Sequence, residues 1–562
     1  MSKKPHILII NPDEMRWDTM GHMGNRAAYT PTLDRLAARE AVSFDHAYCQ
    51  NPVCVPSRCS FLTGLYPHTT GHRTMRYLMR EGEQSLFSEL RAAGYHVWQN
   101  GRNDYFAAQK KDVEKIHSDE YYYGEPTPRA EEQKYADVPY EIPKKEGFTQ
   151  KITETIINDD PDHVYSHYHG IIEDKGKDRD WIDTKAAIER IRRVDELDGK
   201  PLCLFLGWLN PHPPYEVEQK YFDLIKRENI VPIVDPAKTT GKSEMVQRLQ
   251  EFSHLDGLTE EQWIDMRHVY LAQCAKVDHM VEALCDALKE AGIYDDTAIF
   301  FFSDHGDWCG DFHLAEKAQN CFEDVLTRVP FLVKPPKGYE VDPGLASTPV
   351  ELIDFYATAM EWAGAQYSHD HFGKSLTEVI ADRSKQVREY AFCEGGRNEY
   401  ESQCNEWHCE GPDGGGNRGD YYAKKRAQLD DSAHEKGTMI TDGSCKFIYR
   451  SSGKNEFYNL LNDPYEMHNL YGTEVMESPA MQDTLRKMES EMLKWFQRTA
   501  DVVPWDYDDR FSEERLWLMI SRLVPAEYED QMRTFIRETQ ASIVDAFGFA
   551  FRIQEALKKT NS

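Results

Sequence analysis

The chain opens on a short apolar run, Ile7-Leu8-Ile9-Ile10, broken by Asn11-Pro12-Asp13. A run without polar alternation predicts a strand buried on both faces of a parallel sheet. Thr30-Pro31 then opens a helix through Leu33, Leu36 and Ala37, with a cap and a proline in its first turn. Gln84 to Ala93 reads as a second helix stopped by Gly94, and Tyr95 to Trp98 returns as a strand. Leu202 to Leu206 and Thr297 to Phe302 are further apolar, strand-like runs, the second following a long helix that ends at Ala291-Gly292. Strands alternating with helices predict an α/β fold, a large and mostly parallel sheet sandwiched by helices.

Residues 105–200 break this rhythm with Tyr121-Tyr122-Tyr123, prolines and many charges, and read as an excursion over the sheet's edge. A second break at 394–436 contains the glycine-rich loop Gly411 to Gly419. Thr438 to Ile440, Phe447 to Arg450 and Glu456 to Asn459 then predict short antiparallel strands, with a helix around Met476 to Arg498. The tail has an amphipathic helical pattern through Trp517, Leu518, Ile520, Leu523, Ile536, Ile543 and Phe547. The expected organisation is a catalytic α/β domain at 1–390, a smaller antiparallel-sheet subdomain at 391–500 and a helical tail at 501–562. The tail either packs on its own chain or serves a homo-oligomer contact. No internal repeat is visible.

Composition bounds the function. The 562 residues carry 66 Lys plus Arg against 96 Asp plus Glu, a net charge of −30. That charge repels nucleic acid and anionic membranes at long range, yet leaves room for a small cationic pocket. Hydrophobic residues at 40% supply a core large enough to exclude disorder as the dominant state. The 12 cysteines show no disulfide framework and read as reduced thiols. Four consecutive apolar residues near the N-terminus are too few for a signal-peptide core, and no run reaches the roughly eighteen that a membrane helix needs. The expected location is cytoplasmic.

The decisive pattern is Cys54-Val55-Pro56-Ser57-Arg58-Cys59-Ser60-Phe61-Leu62-Thr63-Gly64, or C-x-P-S-R-x4-T-G. Its specified positions arise by chance in a chain this long with odds on the order of one in 10⁵. It resembles the signature of the type I sulfatases of the alkaline-phosphatase superfamily, which include a phosphonate monoester hydrolase branch. The resemblance implies that a formylglycine-generating enzyme oxidises Cys54 to formylglycine. The aldehyde hydrate carries two hydroxyls on one carbon. One, acidified by a divalent cation, attacks sulfur in line; the other then loses its proton and expels sulfate. Arg58, one helical turn on, holds the hydrate's oxyanion.

By the same resemblance, the cation is held at strand ends. Asn11-Pro12-Asp13-Glu14 follows the first strand, and Ser303-Asp304-His305-Gly306 follows Thr297 to Phe302. The latter continues as Asp307-Trp308-Cys309-Gly310-Asp311-Phe312-His313-Leu314-Ala315-Glu316-Lys317, the family's D-H-G-(D/E)-x-x-G-D-x-x-L-x-x-K pattern. Asp13, Glu14, Asp304 and His305 are the implied ligands, with modified Cys54 completing the shell. Oxygen ligands favour Ca²⁺ or Mg²⁺, and a histidine gives weight to Mn²⁺.

Asn210-Pro211-His212 resembles the family's N-P-H segment, which implies that His212 meets the ester oxygen and can protonate the leaving group. Lys317 is implied to bind the sulfuryl oxygens. One departure stands out: where the family has G-K-x-H, this chain has Gly101-Arg102-Asn103-Asp104. Arg102 keeps the positive charge, but Asp104 cannot imitate an imidazole. His68, His72 and Arg73 follow the motif closely enough to line the pocket mouth. Cys393, Cys404, His408 and Cys409 fit no common zinc spacing. Lys446-Phe447-Ile448-Tyr449 and Asn462-Asp463-Pro464-Tyr465-Glu466 resemble the family's C-terminal subdomain, so the likeness runs from residue 6 to about 472. The expected activity is hydrolysis of a small sulfate monoester, with phosphonate monoester or phosphodiester hydrolysis as the competing use of the same site.

Overall fold

Eight strands form the central sheet of the computed structural model, in the order Gly344–Ala346, Val42–Phe44, Phe331–Lys334, Thr297–Phe302, His6–Asp13, Leu202–Pro211, His96–Asn100, Glu120–Tyr122. Only Phe331–Lys334 runs antiparallel to its neighbours, so the sheet is mixed but mostly parallel. The structure describes residues 4–100, 102–107, 113–123, 168–173, 178–253, 255, 257–406, 422–503, 511–539 and 542–560.

The all-apolar central strands follow from the layering. Leu8, Ile10, Leu204, Leu206, Ile299 and Phe301 face one layer, dominated by the helix Glu260–Glu290. Ile7, Ile9, Cys203, Phe205, Ala298, Phe300 and Phe302 face the other, built on the helices Cys54–Thr63, Leu86–Ala92 and Ile353–Ala363. Both faces are dry, so neither tolerates a polar alternation. The long helix starts on a capping box between Thr259 and Gln262.

The sequence reading needs correction at several boundaries. The first strand does not stop at Ile10 but continues through Asn11-Pro12 to Asp13, because Leu202–Pro211 pairs with it along that whole length. The triple tyrosine is no irregular loop: Glu120–Tyr122 is an edge strand parallel to His96–Asn100. Most of the remaining excursion, like the Gly411 to Gly419 loop, lies outside the described residues. The small sheet has four strands, Ala391–Gly395, Gly437–Thr441, Cys445–Arg450 and Glu456–Asn459, all antiparallel. Its first strand was not expected, since residues 396–436 separate Gly395 from its partner's start at Gly437.

The chain divides into two compact units, Met1–Val502 and Val503–Ser562. Within the second, the helices Glu513–Ile520, Glu529–Glu538 and Ile543–Thr560 close an apolar cluster of Leu516, Trp517, Ile520, Met532, Ile536, Ala546 and Ala550. Of the tail's predicted apolar face, Leu518 is instead exposed. Among the described residues, no helix is long and apolar enough to cross a membrane.

Gly64 ends the Cys54–Thr63 helix at φ +71°, and a Cβ there would lie 2.7 Å from Tyr356 Cδ1. Gly64→Ala is therefore expected to lower stability by about 1–3 kcal/mol, from left-handed strain plus overpacking, read as a shifted urea midpoint.

Candidate active site

The strands His6–Asp13, Leu202–Pro211 and Thr297–Phe302 end at one edge of the sheet, where open α/β sheets place their sites. Asp13 and Glu14, then His212, then Asp304 and His305 hang from these ends. Cys54 is the first residue of the Cys54–Thr63 helix, all ten residues of which are buried.

Arg58 is fully buried and joins the two metal-motif carboxylates. Its Nε donates to Asp304 Oδ2 at 2.8 Å and its Nη2 donates to Asp13 Oδ2 at 2.8 Å. Its Nη1 is buried without an acceptor, a donor left for another oxygen. The Cys54 thiol lies 3.6 Å from Asp13 Oδ1 and 3.2 Å from His305 Nε2. His305 Nδ1 donates to Gly306 O at 2.9 Å, which turns the Nε2 lone pair toward Cys54. Ser57 Oγ donates to Asp304 O at 2.7 Å, tying the helix to the second motif. Gly306 is obligatory, because a Cβ would sit 2.0 Å from Val325 O.

Ligand atoms of Asp13, Cys54, Asp304 and His305 all lie within 4.8 Å of one another. Two carboxylates, an imidazole lone pair and residue 54 around a single arginine form a donor set that fits a divalent cation. The electrostatics agree. Burial pushes Asp13 up, but Arg102 and Arg58 outweigh it and hold the carboxyl well below its usual range. Burial lowers His305, keeping it neutral at neutral pH. Burial, then Asp13, push the Cys54 thiol well up, so unmodified Cys54 carries no thiolate.

Glu14 stands apart from this set. At φ +67° it turns its carboxylate to Lys317, whose Nζ donates to Glu14 Oε2 at 2.7 Å. With Asp13 and His212 it forms a second potential donor group. Burial raises Glu14 well above its ordinary pKa despite Lys317. Its peptide is pinned by Tyr270, whose hydroxyl donates to Glu14 O at 2.6 Å.

His212 faces the same lysine. Its Nδ1 donates to Pro213 O at 2.7 Å, so Nε2 accepts from Lys317 Nζ at 2.8 Å. Burial and Lys317 hold His212 well below its usual pKa. With Nδ1 carrying the imidazole proton, Lys317 is the donor of this pair and His212 the acceptor. Arg102 pairs with Asp13 Oδ2 and lies 3.4 Å from Asp104 Oδ2. The Arg102 and Asp104 side chains are 23% and 27% exposed where Asp13, Arg58 and Asp304 are sealed, so they mark the open side.

Other sequence candidates are engaged elsewhere. His68 bonds Glu394 at 2.7 Å and Thr499 at 2.9 Å, Arg73 bonds Glu401 at 2.7 Å, and His72 lies 3.1 Å from Glu83. His408 and Cys409 lie outside the described residues. Asp311 is held by Arg16 at 2.7 Å and Arg267 at 2.9 Å, a structural triad. Asp307 accepts from Tyr215 at 2.7 Å and is pushed up to about 7 by burial. Sequence reasoning missed Tyr270 and Tyr215, because a tyrosine within a long helix or a short strand gives no local signal.

Comparison with known proteins agrees with this geometry. A family model described as Sulfatase matches residues 5–365. An arylsulfatase of Clostridium perfringens is 26% identical over 86% of this chain and 93% of its own length. A choline-sulfatase of Rhizobium meliloti is 24% identical over 93% and 92%. A phosphonate monoester hydrolase from Silicibacter pomeroyi shares the fold, with a TM-score of 0.65 and 20% identity over 88% of this chain and 96% of its own.

Arg58→Ala strands two buried carboxylates and is expected to cost about 3–5 kcal/mol in urea unfolding with chelator present. Adding a divalent cation should recover part of that loss. Asp13 is depressed in the folded state, so its stabilising contribution is full above its unfolded value and is lost as pH falls through the folded one. Arg102→Ala removes a cation that depresses it. Acid unfolding followed by circular dichroism should then begin at a higher pH than in the unchanged protein.

Proposed function

Since the chain belongs to the sulfatase family, we propose that it hydrolyses a small sulfate monoester through a formylglycine made from Cys54. The observation that carries this reading is the placement of Cys54. It stands at a buried helix start among Asp13, Asp304 and His305, where a thiol stays protonated and is a poor nucleophile. An aldehyde hydrate at that position escapes the difficulty, because its nucleophile is oxygen.

Asp13, Asp304, His305 and residue 54 would hold a divalent cation, Ca²⁺ first and Mn²⁺ or Mg²⁺ next, supplying positive charge against the hydrate and the sulfuryl oxygens. The protein's own groups do the rest. Arg58 Nη1, free of any acceptor, donates to the hydrate oxygen. Formylglycine at residue 54 would supply one hydrate oxygen to bond to sulfur as the S–O bond to the alcohol breaks, its proton leaving to solvent at the open side by Arg102 and Asp104. The leaving oxygen takes a proton from the Lys317–His212 pair, whose Nζ and Nε2 lie 2.8 Å apart. The second hydroxyl would then return a proton to the Lys317–His212 pair as the C–O bond to sulfate breaks and the aldehyde is regenerated. Arg102 clamps the sulfuryl oxygens at the mouth, its charge shared with Asp13 and Asp104. A cation shared in this way suits a monoanion better than a dianion. That describes sulfate monoesters, and equally phosphonate monoesters and phosphodiesters.

The test is a pair of rates, on 4-nitrophenyl sulfate and 4-nitrophenyl phenylphosphonate, with the Cys54 peptide weighed from the same preparation. The expected outcome is the aldehyde mass and a higher kcat/KM for the sulfate. A higher value for the phosphonate would overturn the substrate assignment while leaving the nucleophile in place. Cys54→Ala should retain less than about 10⁻³ of wild-type kcat, the scale seen when a covalent nucleophile is lost. Wild-type turnover in that variant would sink the mechanism.

A further inference from the structure

The segment that carries His212 is short of ways to hold itself. Pro211, Pro213 and Pro214 have no N–H, which leaves Leu209, Asn210 and His212 as its backbone donors. His212 N closes a local turn onto Leu209 O at 2.8 Å. The two remaining donors go to one side chain: Leu209 N donates to Asp180 Oδ1 at 2.8 Å and Asn210 N donates to Asp180 Oδ2 at 2.7 Å. Asn210 Nδ2 adds a third bond to Asp180 Oδ2 at 2.6 Å.

Asp180 is 2% exposed and sits in the first turn of the helix Arg179–Arg192, whose cap is Asp178. None of its hydrogen bonds among the described residues comes from a cation; Lys276, the nearby candidate, bonds Asp178 and Glu218. Burial, then Asp178, raise its pKa to about 6. A carboxylate buried without a cation is costly unless several donors converge on it, and here all of them come from this one segment. On the other side, Gln273 Nε2 of the long helix donates to Asn210 Oδ1 at 3.3 Å and Pro214 O at 3.2 Å. The His212 ring is then the free end of a segment clamped between two helices.

We propose that Asp180 is a positioning residue for the reaction: its carboxylate fixes the Leu209–Pro214 segment and so sets where His212 meets Lys317 and the leaving group. The proposal rests on the assignment of His212 and Lys317 to the leaving-group end. Asp180 touches neither residue and acts only through the segment. An amide cannot replace it, because Asn at this position offers one acceptor oxygen and turns two donors toward donors.

The experiment compares Asp180→Asn, His212→Ala and the double variant on an alkyl sulfate, a poor leaving group, and on 4-nitrophenyl sulfate, a good one. Asp180→Asn should lose on the order of 10²-fold in kcat on the alkyl ester and much less on the nitrophenyl ester, with KM nearly unchanged. The double variant should be no slower than His212→Ala alone. Equal losses on both esters, or losses that multiply in the double variant, would overturn the proposal. The imidazole signal of His212 in ¹⁵N-histidine-labelled protein, assigned by its absence in His212→Ala, should shift or split in Asp180→Asn; an unmoved signal also overturns it. That readout needs no turnover, so it decides the matter even if neither sulfate is a substrate and the functional reading fails. Should Asp180→Asn not give a cooperative melt, Asn210→Ala removes one of the three bonds and is expected to show the same leaving-group selectivity more weakly.

Discussion

The site depends on one buried guanidinium. Arg58 lies between Asp13 and Asp304, which come from two adjacent parallel strands, and it reaches them from the helix that begins at Cys54. Without it, two sealed carboxylates would repel each other and the strand ends could not approach so closely. With it, the Asp13 carboxyl is held well below its usual range and both carboxylates have a cationic donor. The same arginine ties the helix that begins at Cys54 to Asp13 and Asp304, so the position of residue 54 and the spacing of those two carboxylates are fixed together.

A second charge pair closes the other half of the crevice. Lys317 is shared between Glu14, whose carboxyl oxygen accepts from it, and His212, which supplies a lone pair. Glu14 is turned into this role by its left-handed backbone and by Tyr270. The crevice therefore has one end around Asp13, Asp304 and His305, whose donor set fits a cation, and another around Lys317, Glu14 and His212. Reaction at a sulfate ester needs these two ends on opposite sides of sulfur, since the attacking and leaving oxygens lie in line. Arg102, paired with Asp13 and near Asp104, lies at the open side.

Rigidity reaches these groups through acceptors that are themselves buried. Asp180 holds the His212 segment, and Asp307, bonded to Tyr215, takes the backbone N–H groups of Cys309 and Glu316 and so shapes the loop that presents Lys317. Both carboxyls are pushed up by burial, to about 6 and about 7. Neither bonds a group placed at the reacting centre. They serve the chemistry by limiting where His212 and Lys317 can go.

The fold class, the signature helix that starts at Cys54 and the order of the acidic motifs at the strand ends were all legible in the sequence. Those features are local: an apolar run announces a doubly covered strand, and C-x-P-S-R fixes residue 54 against Arg58 within one helical turn. The antiparallel strands at 438–459 were legible for the same reason, while their first partner, Ala391–Gly395, was not, because its pairing closes across a long interval of chain. Only the tertiary structure decided which acid serves which cation. Asp13 and Glu14 are neighbours in sequence, yet one turns to the Cys54 set and the other to Lys317, a choice made by backbone angle and by partners some 250–300 residues away. It also decided that Lys317 and His212 meet at 2.8 Å, a contact between residues far apart in sequence. His68 and Arg73 show the converse: nearness in sequence to the motif suggested the pocket mouth, and the fold gave them to Glu394 and Glu401.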